Sequence, residues 1–142
     1  MTMNFRYLDS SSPNGTTSKR PYVLVRFFHN DKELEQYALI DSGADMSAMD
    51  YRYATKLGLD LTGKRVKTFG VSGPVESVVT RIHVEISKGH EHYVYEIPIR
   101  VLFSETEFFA PTLLGRQGFF DKFVITIDES EQKIRLKHNG QE

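Results

Sequence analysis

Ala38-Leu39-Ile40-Asp41-Ser42-Gly43-Ala44-Asp45 sets an acid at the end of an apolar run and directly before two turn formers. A lone carboxylate in such a place is partly desolvated and costly to hold unless the molecule uses it. Gly43 lets the chain turn with its backbone close to a neighbour, and Ser42 supplies a hydroxyl suited to fixing a loop. Read alone, the triplet Asp41-Ser42-Gly43 is more often an ordinary turn after a strand. Its surroundings decide between the two.

Upstream, residues 22–28 are β-branched and aromatic, residues 29–32 form a turn, and residues 34–40 return as a strand that runs straight into Asp41. Downstream, Met49, Tyr53, Ala54, Leu57 and Leu59 recur at helical spacing and Gly58 supplies a C-cap, predicting a short helix. Strands resume from residue 64, with a glycine-containing tip at residues 70–74, period-two alternation through residue 86, a turn at 87–91 and a strand over 93–102. Pro98 marks that last strand as an edge or a bulge. A compact apolar step at residues 112–116, a second short helix at 117–122 and a closing hairpin over 123–137 complete the pattern. Many short strands with two short helices predict an all-β protein, a small closed or partly closed barrel. Residues 9–18 are rich in turn formers, so residues 1–20 are expected as a flexible arm preceding a domain over 21–142.

Composition narrows the chemistry. The 142 residues carry a formal net charge of -1 and the sequence shows no basic stripe, which disfavours nucleic acid as the main partner. The chain has no cysteine, so a disulfide framework, a thiolate zinc site and a cysteine nucleophile are all excluded. No apolar run is long enough to cross a bilayer and the N-terminal residues lack a signal-peptide core, so the expectation is a cytoplasmic protein without a membrane partner. His83, His90 and His92 could suggest a metal, but they sit in or beside a charged turn with no further ligand placed among them; no metal and no cofactor are expected. Phe103, Phe108, Phe109, Phe119, Phe120 and Phe123 read as core and interface rather than a cofactor box.

Leu39-Ile40-Asp41-Ser42-Gly43-Ala44 resembles the catalytic loop of the retropepsin-like aspartic proteases, hydrophobic-hydrophobic-Asp-Ser/Thr-Gly-Ala. Further features follow in the family's order: Asp45, then Gly70-Val71-Ser72-Gly73 where the family has its substrate-covering flap, then Leu113-Leu114-Gly115-Arg116 before the C-terminal elements. The resemblance spans residues 21–137. It implies that Asp41, with Ser42 and Gly43, carries catalysis, that residues 70–73 touch the substrate, and that Ala44, Asp45, Gly115 and Arg116 support the site, with Asp45 and Arg116 as an ion pair. It also implies a peptide or protein substrate. Only one such triplet is present, so a single-chain enzyme with two catalytic loops is excluded and activity requires a second copy, with Asp41 facing its symmetry equivalent. The alternative is a module of the same fold that binds or dimerises without cleaving. The chain departs from viral members in Gln117 after Gly-Arg, in Ser42 for the commoner Thr, in the longer helix after the catalytic loop, and in a C-terminal hairpin where those enzymes end in one strand interleaved with the partner.

Overall fold

The computed structural model describes residues 1–11, 14–70 and 73–140. Near the N-terminus come β1 (Thr2–Arg6), β2 (Leu8–Ser11) and β3 (Thr17–Arg20), then the hairpin β4 (Tyr22–His29) and β5 (Lys32–Ile40). After the Asp41 loop follow β6 (Ser47–Asp50), α1 (Tyr51–Lys56), β7 (Val66–Gly70), β8 (Gly73–Lys88) and β9 (Glu91–Leu102). The chain closes with β10 (Leu113–Leu114), a single 3-10 turn (Phe120–Lys122), β11 (Phe123–Asp128) and β12 (Lys133–His138).

Alternation of side chains builds the core. Val23, Val25 and Phe27 of β4 turn inward, as do Ile82, Val84 and Ile86 of β8 and Ile97, Ile99 and Val101 of β9, all of them buried. Each such side chain withdrawn from water contributes about 1.5–3 kcal/mol. The strands pair in the order β4-β5-β10-β6-β9-β8-β7, and β4 also pairs with β8 through Arg26–Glu85, Phe27–Val84 and Phe28–His83. That extra pairing closes the sheet into a ring, with β7 hanging outside it on β8. The expected small barrel is the fold observed.

Local readings needed correction in four places. Residues 2–6 are no flexible arm: β1 pairs along its length with β12, and Met3 is buried, because its alternating apolar side finds the inner face of a C-terminal strand far away in sequence. Residues 8–11 and 17–20 likewise form a hairpin, β2 with β3. The helix covers Tyr51–Lys56 and not Met49–Leu59; Met49 belongs to β6, and Asp50 stops the strand by capping α1, its Oδ1 accepting from Arg52 N at 2.9 Å. Pro98 stands where β9 is locally an edge, with β8 as its one strand partner, although the same strand becomes interior further on. The proline lies opposite Arg81, just before pairing with β6 begins at Ile99, so no partner there requires the N–H that proline lacks. The second helix shrinks to the 3-10 turn because Phe119 is drawn into the core and Phe123 already starts a strand.

Candidate active site

β5 delivers Asp41 to the surface, and β10 fixes it there. Leu113 and Leu114 run parallel to Leu39 and Ile40, while Leu113 also pairs antiparallel with Ala48 of β6. β10 therefore threads between the strands that enter and leave the 41–46 loop. Asp41 N donates to Leu114 O at 3.0 Å, Ala44 N to Asp41 O at 3.2 Å, and Arg116 N returns to Ala44 O at 3.0 Å. Gln117 N donates to Asp45 O at 2.9 Å and Gly115 N to the buried Ser47 Oγ at 3.1 Å. The crossing is tight: a Cβ on Gly115 would lie 2.5 Å from Met46 C and 2.9 Å from Ala44 O, a separation real side chains do not reach. Only glycine passes there.

Within this frame the Asp41 carboxylate is partly exposed, accepts from Gly43 N through Oδ1 at 2.9 Å, and has no cation partner among the described residues. Ser42 is exposed; its hydroxyl, expected to lock the loop, makes no hydrogen bond among the described residues. Arg116 donates through Nη2 to Asp45 Oδ1, both groups lying well out in solvent. Asp41, Ala44, Asp45, Gly115 and Arg116, separated by seventy residues of chain, thus meet at one locus.

The expected flap is a separate feature. β7 and β8 pair from Val66–Ser77 out to Gly70–Gly73, whereas β9 joins β8 only from Ser77 onward, so residues 66–70 and 73–76 extend as a two-stranded ribbon with Phe69 exposed. Val71 and Ser72 lie outside the described residues. At the base, Thr68 Oγ1 and Ser77 Oγ are 2.8 Å apart and Arg100 Nη1 lies 3.3 Å from Ser77 Oγ. A hollow of about 650 Å³ opens there, between the ribbon and Tyr51 and Phe103, with the Arg65 guanidinium 3.9 Å above the Phe103 ring.

Sequence reasoning missed a clamp beside the site. Asp50 is fully buried, and its carboxylate receives Arg52 Nε at 2.8 Å, Arg52 Nη2 at 2.9 Å and Ala110 N at 2.8 Å. Arg52 in turn donates to Thr106 O at 3.2 Å and Phe108 O at 3.1 Å, with its guanidinium 3.9 Å over Phe109. Burial pushes the Asp50 carboxyl up, but the Arg52 side chain and the amides of Arg52 and Ala110 outweigh it and hold the group below its usual range. This pair fastens the 103–112 loop, which presents the exposed Phe108 and leads into β10. The one signal in the sequence was an aspartate standing as N-cap before a helical pattern; its second duty toward Ala110 was invisible.

A family model described as Aspartyl protease matches residues 23–102, more than half of the chain and a span containing both the Asp41 loop and the β7–β8 ribbon. This chain belongs to the aspartyl protease family. Among solved structures it is similar to a retropepsin-like aspartic protease from Rickettsia conorii, at 17% sequence identity and a TM-score of 0.55 over 96% of this chain and 98% of that one. That likeness is one of fold. It is also similar to the EIAV protease complexed with the inhibitor HBY-793, at 27% identity and a TM-score of 0.46, covering 69% of this chain and 83% of that one. No curated protein sequence matches it. This aspartyl protease family member therefore carries the retropepsin-like barrel, and no helix among its described residues is long and apolar enough to cross a membrane.

Proposed function

We propose that the chain is an aspartic endopeptidase that works as a homodimer, with Asp41 of each copy forming one half of a catalytic pair. The observation that carries the reading is the Asp41 loop itself: a partly exposed carboxylate without a cation partner among the described residues, in a loop held by main-chain bonds to β10 and the residues just after it. A fold that spends so many backbone bonds on one acid preorganises it for chemistry.

Two carboxyls brought within a few ångströms cannot both ionise, so the pair holds one proton in common and titrates as a unit. The ionised member takes a proton from a water molecule as that water attacks the scissile carbonyl carbon. The protonated member donates to the carbonyl oxygen, giving a neutral tetrahedral diol. Return of a proton to the amide nitrogen lets the C–N bond break, leaving a free acid and a free amine with the pair reset. No metal and no covalent intermediate enter. The β7–β8 ribbon, with Gly70 and Gly73 at its described end, is suited to close over an extended peptide and exclude water. Asp45 and Arg116 brace the loop from outside. A cytoplasmic setting accords with the absence of cysteine.

Asp41→Asn keeps the size of the side chain and removes the shared proton. Cleavage of a peptide substrate should fall by about 10²–10⁴-fold while the thermal melt stays in place; undiminished cleavage rejects the mechanism. One observation favours a second reading, a module that binds without cutting: β1 pairs with β12 of its own chain, so the terminal sheet is already built within one copy. A bell-shaped pH–rate profile separates the two, because only a working pair of acids produces one.

A further inference from the structure

Away from the Asp41 loop, a cleft of about 830 Å³ opens between the terminal sheet and the outer faces of β4 and β5. One wall is the β1–β12 ladder, where Arg6 stands opposite Lys133 and Asn4 opposite Arg135, all four exposed. Lys88, at the end of β8, forms the rim with its ammonium 5.3 Å from the Phe5 ring. The opposite wall is apolar and aromatic: Tyr22, with Leu24 and Tyr37 exposed at 42% and 59%.

Charge in the cleft is unbalanced. Its acids are Glu35 and Glu85, and Glu85 is already bound by Arg26 at 2.7 Å and by His92. Arg6, Lys88, Lys133 and Arg135 form no ion pair among the described residues, although Lys133 faces Asp128 across the sheet and acts on its carboxylate electrostatically. A chain of formal net charge -1 thus sets four cations without ion-pair partners among the described residues around one cleft, and such a surface attracts anions.

The form of the cleft selects among anions. β1 is the outermost strand of its sheet, so its outer backbone groups are open to an added strand. Lys133 and Arg135 are two residues apart on one face of β12, a spacing of roughly 6.6 Å that alternate carboxylates of an extended polypeptide reproduce. The open edge of β1 favours an extended polypeptide, whose backbone can add to the sheet as a phosphate backbone cannot. Tyr37 stands on β5 four residues before Asp41, which follows directly on the end of that strand, about 13 Å away, so a polypeptide engaged at the catalytic loop reaches the cleft with a short extended stretch.

We propose that this cleft binds an acidic stretch of the protein substrate, laid along β1 with alternate carboxylates on Arg6, Lys133 and Arg135 and an aromatic or aliphatic residue against Tyr22 and Tyr37. The source of that stretch rests on the peptidase reading; its binding does not.

The binding test uses Asp41→Asn protein and a labelled peptide of alternating glutamate and phenylalanine, at physiological salt. Arg135→Glu on the β12 wall and Lys88→Glu on the rim should each weaken binding about tenfold or more, and the peptide with glutamine for glutamate should bind as poorly. Binding that ignores both reversals overturns the site, and tighter binding of a single-stranded DNA of equal charge assigns it to phosphate instead. In the wild-type chain, adding an acidic extension to a cleaved peptide should lower KM about tenfold at unchanged kcat, an advantage that Arg135→Glu removes without slowing cleavage of the unextended peptide. An extension that leaves KM unmoved refutes the proposal. If neither peptide is cut yet the acidic peptide still binds through these cations, the peptidase reading falls and the acidic-peptide site stands.

Discussion

The Asp41 loop and the 103–112 loop meet at the same short strand, β10, and are held in opposite ways. The first hangs on main-chain hydrogen bonds: Asp41 to Leu114, Arg116 to Ala44, Gln117 to Asp45. The second hangs on side chains, through the Asp50–Arg52 pair. Main-chain bonding tolerates most changes of residue and is indifferent to pH, whereas a buried ion pair depends on both partners keeping their charge. The acid proposed to do chemistry is therefore on the durable half, and the loop beside it on the half that a single substitution can release.

Substitution should expose that contrast most strongly at Asp50. Asp50→Ala removes the helix cap and leaves Arg52 without its counter-charge, so chemical denaturation should show a loss of about 3–5 kcal/mol. Amide exchange should quicken in residues 103–112 before it does in 41–46; equal quickening in both would erase the distinction. Gly115→Ala is the corresponding attack on the main-chain half. It drives a methyl into Met46 and Ala44 backbone and should cost about 1–3 kcal/mol, with peptide cleavage falling further than stability alone explains.

Acid sharpens the comparison more gently. Glu85 closes the ring against Arg26 and also meets His92; those two bonds hold its carboxyl at about 2, below the ordinary 4.5. Because the folded value is the lower one, the stabilisation is fully present above pH 4.5 and is lost as pH falls through about 2. Melting temperature followed from pH 5 to 2 should decline less in Glu85→Gln than in the wild type, and parallel curves would deny Glu85 this role. The Arg26–Glu85 pair consequently keeps both of its charges across the mildly acidic range. The smallest effect belongs to the Asp45–Arg116 pair. Both side chains are largely exposed, at 74% and 59%, so Asp45→Ala should shift stability by less than about 1 kcal/mol; a larger loss would mean that the loop leans on side chains after all.

What could be read from the sequence follows the same division. The β4–β5 hairpin, the Asp41 loop and the Leu113–Arg116 step were legible because each is a short run whose residue types fit a single conformation. Met3, Phe5 and Tyr7 also alternate with polar neighbours, but a strand so short acquires meaning only when β12 lies alongside it, and nothing near residue 7 announces that partner. Met49 was read into the helix because helical and strand spacing both accept it; Asp50, as the cap, settles the boundary. The cationic wall was hidden most thoroughly of all. Arg6 and Lys133 neighbour each other only after the two ends of the chain are brought together, and a near-neutral total conceals such a patch.

β8 is the longest strand among the described residues. Its sixteen residues form one continuous beam, roughly 50 Å from end to end, with the ribbon at its N-terminal end and Lys88, at the rim of the cationic cleft, at the other. Between them it is bonded to β9 along twelve residues and to β4 at the ring closure. The Lys88 end is paired with Glu91 and the ribbon end lies beyond β9, so the beam is a cantilever anchored in the barrel from Ser77 onward.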